Sequence, residues 1–106
     1  MFGLFQTVPQ CSATEIQRRL GSAEPPCIVD VREPYEFAQG RIPGALPIPL
    51  GEIMTRQGEL PKDRELVMVC RSGSRSGMAA KALHDAGFRV SNMTGGMLDW
   101  RGPVER

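Results

Sequence analysis

The segment 69–77, with the sequence VCRSGSRSG, places a cysteine between an apolar run and a cluster of small and basic residues. Arg71 and Arg75 supply positive charge, and the serines and glycines near them let successive backbone N–H groups turn toward one point. Positive charge and oriented amides favour a thiolate over a thiol, so they lower the pKa of a cysteine. The segment therefore predicts that Cys70 is a nucleophile in a loop that receives an anionic partner.

The remaining cysteines and the single histidine lie outside this segment. Cys27 falls in the apolar run CIVDV, which favours a packing role. Cys11 adjoins a predicted helix cap, and it is either incidental or a resolving thiol. His84 falls in the middle of a predicted helix, so we interpret it as a surface residue and not as a general base. With one histidine and no Cys-x-x-Cys motif, we predict no metal site and no cofactor.

Strands and helices alternate along the chain. The runs CIVDV and ELVMVC are apolar without alternation, which is typical of strands buried on both faces, and FRVSNM is a third predicted strand. Helices are predicted for SATEIQRRLG, where Ser12 and Glu15 form a capping box, for PYEFAQG, and for SGMAAKALHDAG. A short helix followed by a loop through Pro61 is expected from LGEIMTRQGEL, and another short helix in GGMLDWRG. Residues 45–48 are expected to form a brief extended segment at a sheet edge. This order predicts an α/β fold with a mainly parallel sheet.

The predicted elements give Cys70 a defined place. It leaves the carboxyl end of a buried strand, and the chain enters a helix at about Ser76. Open α/β sheets bind ligands at this end of their strands. The unsatisfied amides and the dipole of the helix point to the same place.

Composition limits the other classes of function. A chain of 106 residues predicts one domain, residues 1–106. A net charge of +1 gives no general reason to bind nucleic acid or an anionic membrane.

The N-terminus has no basic segment of a signal peptide, and no apolar stretch approaches the roughly 20 residues of a membrane span. An odd number of cysteines favours a reducing compartment. We therefore expect a cytoplasmic monomer.

Three segments, VDVREPYEFAQGRIPGALPIP, VMVCRSGSRS and MTGGMLDW, resemble in order a single-domain rhodanese, a sulfurtransferase, over about residues 27–100. The resemblance implies a small rhodanese-like α/β domain, whose central, mainly parallel five-stranded sheet is flanked by helices. Cys70 matches the catalytic cysteine, which takes a sulfane sulfur from a small anionic donor such as thiosulfate and holds it as a persulfide. Cyanide or a cellular thiol then accepts the sulfur. The rest of the six-residue loop, whose amides surround the persulfide, corresponds to Arg71, Ser72, Gly73, Ser74 and Arg75.

A second landmark of the resemblance is Asp30 with Arg32, which match an Asp-x-Arg pattern. We interpret these residues as structural support: Arg32 is expected to pair with Glu36, four residues later, and Asp30 to accept from loop amides. The sequence also departs from the family pattern, since Arg41 replaces a histidine and Pro47 an asparagine. We interpret both positions as part of the scaffold, and the sequence makes no prediction about the packing near Arg41.

Other functions remain as alternatives. A cysteine phosphatase or an arsenate reductase also uses a cysteine–loop–arginine segment, but phosphatases generally read Cys-x5-Arg, whereas Cys70 and Arg75 enclose four residues. A non-catalytic binding module often lacks the cysteine. Within sulfur transfer, a relay to a sulfur-accepting protein with weak thiosulfate turnover is a further possibility. Arg75 either binds the oxyanion end of the donor or fixes the loop.

Overall fold

The computed structural model describes residues 8–106. Within this range five strands form one sheet in the order β1-β5-β4-β2-β3, and every neighbouring pair is parallel. The strands are β1 (Gln10–Cys11), β2 (Cys27–Asp30), β3 (Leu46–Pro47), β4 (Leu66–Val69) and β5 (Val90–Met93). The predicted α/β fold with a parallel sheet is confirmed. In residues 8–106 no helix is long and apolar enough to cross a membrane. The prediction that the chain has no signal peptide concerns mainly residues 1–7, which lie outside the described residues.

The α-helices follow the predicted segments. They are α1 (Ala13–Leu20), α2 (Pro34–Gln39) and α3 (Ser74–Asp85). Ser12 caps α1 by accepting from the Glu15 N–H at 3.1 Å. The second half of the expected capping box is absent, because the Glu15 carboxylate accepts from Arg18 instead. The prediction was thus half right.

Two predictions about the helices were wrong in part. α3 begins at Ser74, two residues before Ser76, because Gly73 takes a left-handed conformation and caps the helix there. In LGEIMTRQGEL the expected short helix is the 3₁₀-helix Leu50–Glu52, and a second 3₁₀-helix, Gln57–Glu59, lies where a loop was expected. The short C-terminal helix is present as the 3₁₀-helix Gly96–Asp99.

The two edge strands differ in how well the sequence predicted them. β3 lies at one edge within the expected segment 45–48. β1 forms the opposite edge, where Gln10 is in register with Asn92 of β5, and no sequence pattern had indicated it. A strand of two residues is too short to show a hydrophobic period.

The core lies on both faces of the sheet, and β4 shows this most clearly. Val67 and Val69 pack in the cluster on the α1 side, whereas Met68 and Cys70 pack in the cluster on the α3 side. All four side chains are buried, so the strand has no polar face and its sequence shows no alternation. Cys70, the first residue after β4, thus belongs to the α3 side.

Candidate active site

Cys70 is the centre of the candidate site, and it is 1% exposed. Its Sγ accepts a hydrogen bond from the Gly73 N–H at 3.1 Å and another from the Ser76 hydroxyl at 3.3 Å. Gly73 has a φ of +104°, a conformation that residues with a Cβ rarely adopt. The glycine therefore lets the loop turn back on the sulfur before α3 begins.

The loop lowers the pKa of the Cys70 thiol below its ordinary value. Burial of the thiol acts in the opposite direction, but hydrogen bonds from the Ser76 hydroxyl and from the backbone N–H groups of Ser76, Gly73 and Ser72 outweigh it. The direction agrees with the expectation from the sequence. The lowering comes chiefly from uncharged donors of the loop rather than from Arg71 and Arg75.

The Arg75 side chain pairs with Glu36 of α2. Its two terminal nitrogens donate to the two carboxylate oxygens of Glu36 at 2.7 and 2.8 Å. These hydrogen bonds hold the pKa of Glu36 at about 2, although burial of the carboxylate tends to raise it. The expected pair of Arg32 with Glu36 is therefore wrong, because Arg75 occupies both oxygens of that carboxylate.

Arg32 pairs instead with Asp30 at the end of β2. Asp30 Oδ1 accepts from the Arg32 N–H at 3.0 Å, and Oδ2 accepts from Arg32 Nη2 at 2.8 Å. The same nitrogen donates to the Gly40 carbonyl, just after α2, at 2.8 Å. Both partners of this ion pair are buried. The Asp-x-Arg landmark thus ties the end of β2 to the end of α2.

The chain from Gly95 onward forms a wall of the cysteine loop. The Met97 N–H donates to the Cys70 carbonyl at 2.9 Å, and the Leu98 N–H donates to the Arg71 carbonyl at 3.0 Å. A Cβ on Gly96 would lie only 2.4 Å from the Cys70 carbonyl oxygen. This close approach explains why a glycine is needed there, whereas the sequence pattern had indicated only a short helix in GGMLDWRG.

Asn92 is a supporting residue that the sequence analysis missed. It is buried in β5, and its Nδ2 donates to the Gly73 carbonyl at 3.2 Å and to the Gln10 side chain at 3.1 Å. The amide therefore connects the cysteine loop to the edge strand β1. A polar residue inside the apolar segment FRVSNM was the available signal.

The three remaining loop side chains are exposed. Ser72 and Arg71 are exposed, and Ser74 is exposed in the first turn of α3. Among residues 8–106 the Arg71 guanidinium has neither a hydrogen-bond acceptor nor an ion-pair partner. Arg71 is therefore the loop cation that is free to meet a ligand.

Cys11 and Cys27 have surroundings unlike those of Cys70. Burial is the largest effect on both thiols and raises their pKa. Cys11 packs on the α1 side of the sheet, whereas Cys70 packs on the α3 side. The sheet therefore separates the two thiols, and the geometry gives no support to Cys11 as a resolving thiol. Cys27 packs at the start of β2, at the opposite end of the strands from Cys70.

His84 and Arg41 occupy positions outside the site. His84 lies in the last turn of α3, about 12 Å along the helix from Ser76 at 1.5 Å per residue, and its Nδ1 is 3.8 Å from Asp85. The guanidinium of Arg41 lies 4.7 Å above the centre of the Phe37 ring and donates to the Phe37 carbonyl at 3.4 Å. The substitution at Arg41 is thus accommodated by stacking on α2.

Known proteins are similar to this chain in fold and in sequence. The family described as Rhodanese-like domain matches residues 12–103. A sulfurtransferase of Allochromatium vinosum is 43% identical over 94 residues, covering 88% of each chain. The putative sulfur carrier protein YrkF of Bacillus subtilis is 40% identical over 100 residues, covering 93% of this chain and 54% of YrkF. A rhodanese-like domain protein from Staphylococcus aureus has a TM-score of 0.88 at 31% identity, covering 92% of this chain and 97% of its own. The chain therefore belongs to the rhodanese-like domain family, whose relatives include proteins named as sulfurtransferases.

Proposed function

We propose that this protein is a sulfurtransferase that moves a sulfane sulfur through a persulfide on Cys70. The proposal rests on one observation: Cys70 Sγ accepts hydrogen bonds from the Gly73 N–H and from the Ser76 hydroxyl. Donors fixed before the reaction stabilise negative charge on sulfur without any rearrangement of the loop. The family membership agrees with this chemistry.

In the first half-reaction, the Cys70 thiolate attacks the outer sulfur of a small anionic donor such as thiosulfate. The sulfur–sulfur bond of thiosulfate breaks, and its electron pair leaves on sulfite. The product is a Cys70 persulfide anion, so the charge of −3 is the same before and after the step. The exposed guanidinium of Arg71 offsets the charge of the arriving donor, and the loop amides offset that of the persulfide.

In the second half-reaction, a nucleophilic acceptor attacks the outer sulfur of the persulfide. The bond to Cys70 Sγ breaks and its electron pair returns to Cys70 as the thiolate. Cyanide becomes thiocyanate, and a thiol R–SH becomes R–S–SH. A sulfur-accepting protein can take the place of the small acceptor, and the name of YrkF as a putative sulfur carrier supports this variant.

Arg75 acts in this proposal by positioning the loop. Both of its terminal nitrogens are engaged by Glu36, so it is not poised to receive a donor. Its charge holds the first turn of α3, and with it Ser76, against α2. Arg71 is then the side chain of the loop that contacts the small anion.

The loop dimensions favour sulfur over phosphate as the transferred group. The donors lie within 3.1 and 3.3 Å of Sγ itself. A persulfide extends from Sγ by one sulfur at about 2.05 Å, whereas a phosphoryl group adds a central atom with three oxygens. We therefore place cysteine phosphatase chemistry second.

Intact-mass measurement tests the proposal directly. After incubation with thiosulfate and removal of the excess, we expect the protein to be heavier by one sulfur atom, located on Cys70 by peptide mapping. Dithiothreitol should remove the added sulfur, and cyanide should convert it to thiocyanate. Absence of the adduct together with hydrolysis of an aryl phosphate would replace sulfur transfer by phosphatase activity.

A further inference from the structure

A groove lies beside the cysteine loop, between α2 and the 3₁₀-helix Gly96–Asp99. Its volume is about 360 Å³, and its lining includes Arg71, Tyr35, Gln39, Met97 and Leu98. Tyr35 is 68% exposed and Leu98 53% exposed. Large apolar side chains are therefore presented to solvent on the walls of a concavity that Arg71 also lines.

The charges around this groove leave one cation unbalanced. Arg32 also lines it, but its charge is paired with Asp30 at 2.8 Å. Glu36 likewise lines it and is paired with Arg75 at 2.7 Å. Arg71 has no such partner within residues 8–106, so the groove has a net positive charge located next to Cys70.

We propose that this groove is the subsite for the sulfur acceptor, and that it selects a small thiol bearing a carboxylate. The inference rests on the proposed function and names its acceptor class. The planar guanidinium of Arg71 matches a carboxylate through paired hydrogen bonds. Tyr35 and Leu98 contact the apolar part of the same molecule, and its thiol reaches the outer sulfur of the Cys70 persulfide.

The size of the groove favours a small molecule over a protein acceptor. A volume of about 360 Å³ lies near the lower end of the roughly 300–1,000 Å³ typical of small-molecule sites. A stable protein partner usually covers about 800 Å² on each side, and the apolar residues of the groove make up a much smaller patch. Because Arg71 directly follows Cys70, a carboxylate bound there keeps its thiol close to the reacting sulfur.

The transfer step balances without a further reactant. The acceptor reacts as its thiolate R–S⁻: it attacks the outer sulfur of Cys70–S–S⁻, the bond between the two sulfurs of Cys70–S–S⁻ breaks, and its electron pair stays on Cys70 as the thiolate. The acceptor leaves as the persulfide anion R–S–S⁻, and the total charge of −2 is the same before and after the step. The carboxylate takes no part in bond making; it raises the local concentration of the thiol.

The test isolates the second half-reaction. The Cys70 persulfide is loaded with thiosulfate, the excess donor and sulfite are removed, and the decay of the persulfide is followed with 3-mercaptopropionate or with its uncharged isostere 3-mercaptopropionamide. The ratio of the two rates, each corrected for the thiolate fraction, measures the carboxylate preference. A charged hydrogen bond predicts a preference of about 10–100-fold, which should largely disappear in Arg71→Gln.

Matched variants separate a groove effect from a general charge effect. Arg89→Gln removes an exposed arginine just before β5, at the far end of the strands, and should keep the preference. Leu98→Glu should reverse the preference through repulsion. Leu98→Gln weakens the apolar contact with both thiols alike, so it should slow both transfers and leave the ratio of their rates unchanged. The Leu98 pair remains informative if Arg71→Gln does not load with persulfide.

The outcomes distinguish the two levels of the proposal. Failure of the wild-type protein to form the persulfide would defeat the proposed function. A persulfide that transfers to cyanide but shows no carboxylate preference, or a preference that survives in Arg71→Gln and Leu98→Glu, would overturn the groove assignment alone. Transfer to a sulfur-carrier protein with neither small thiol accepted would assign the groove to a protein acceptor instead.

Discussion

Glu36 of α2 and Arg75 of α3 form a bidentate ion pair, with nitrogen–oxygen distances of 2.7 and 2.8 Å. The pair joins residues 39 positions apart in the chain, and it anchors the helix turn that carries Ser76. Because Ser76 donates to the Cys70 sulfur, the pair supports the cysteine loop without contacting the sulfur.

We expect Glu36→Gln to lower the free energy of unfolding by about 1–3 kcal/mol, since it removes charge-assisted hydrogen bonds, and to slow persulfide formation. Glu36 has a folded pKa of about 2, below the usual value of about 4.3 for an unfolded chain. The contribution of the ionised Glu36 to the free energy of unfolding is therefore complete above its unfolded-state pKa and is lost as pH falls toward 2. Denaturant unfolding at several pH values measures it. Glu59→Gln, at an exposed ion pair, is the matched control and should change little.

We expect Ser76→Ala to raise the pKa of Cys70, because the variant loses the hydroxyl donor to Sγ. In the wild-type protein the thiolate should persist below the pKa of a free cysteine, so alkylation by iodoacetamide stays fast as pH falls toward neutrality. The pH profile of the alkylation rate gives both values. Ser74→Ala, which changes an exposed hydroxyl in the same helix turn, should leave the profile nearly unchanged. A wild-type midpoint at or above that of free cysteine would contradict the prediction.

Cys70→Ser should abolish sulfur transfer from thiosulfate to cyanide, whereas Cys11→Ser and Cys27→Ala should retain most of it. The reason is that burial raises the pKa of Cys11 and of Cys27, and that Cys11 packs on the other side of the sheet. Thiocyanate production measures the activity, and circular dichroism verifies the fold of each variant. Turnover by a folded Cys70→Ser protein would refute the mechanism, and loss in Cys11→Ser would restore a resolving role.

Gly96→Ala should destabilise the protein by about 2–4 kcal/mol, because the left-handed backbone disfavours a Cβ and the new methyl overlaps tightly packed atoms. Gly96 has a φ of +56°, and a Cβ there would lie 2.4 Å from the Cys70 carbonyl oxygen. The added methyl should also displace the loop and slow persulfide formation. Gly51→Ala is the control, since a Cβ at Gly51 meets nothing within 4 Å. Equal stability of the two variants would show that the wall of the loop tolerates displacement.

Insertion of one glycine between Gly73 and Ser74 should slow transfer by one and a half to three powers of ten, corresponding to about 2–4 kcal/mol. The insertion separates the Gly73 N–H and the Ser76 hydroxyl, which both donate to the same sulfur. The rate of persulfide formation measures the effect. An unchanged rate would mean that loop size is not what suits this site to sulfur.

The sequence by itself indicated Cys70 as the candidate nucleophile, the α/β order and the loop, because the interactions that define them are short-range. The donors to Cys70 come from Ser72, Gly73 and Ser76, all within six residues, and the adjoining strand and helix follow from local hydrophobic patterns. Interactions between residues so near in the chain can be predicted from the types of the neighbouring residues. The main local error, the start of α3, arose because Gly73 caps the helix earlier than the pattern suggested.

Only the tertiary structure decided which partners support the loop. Sequence spacing had predicted Arg32 with Glu36, but Arg32 pairs with the buried Asp30, the last residue of β2, and the fold brings Glu36 to Arg75. The close approach of Gly96 to Cys70 and the hydrogen bond of Asn92 to Gly73 likewise join segments that are 19 or more residues apart. A side chain with several oppositely charged residues within reach has no preferred partner in sequence. The partner with which it pairs depends on which elements lie side by side when the sheet and helices pack.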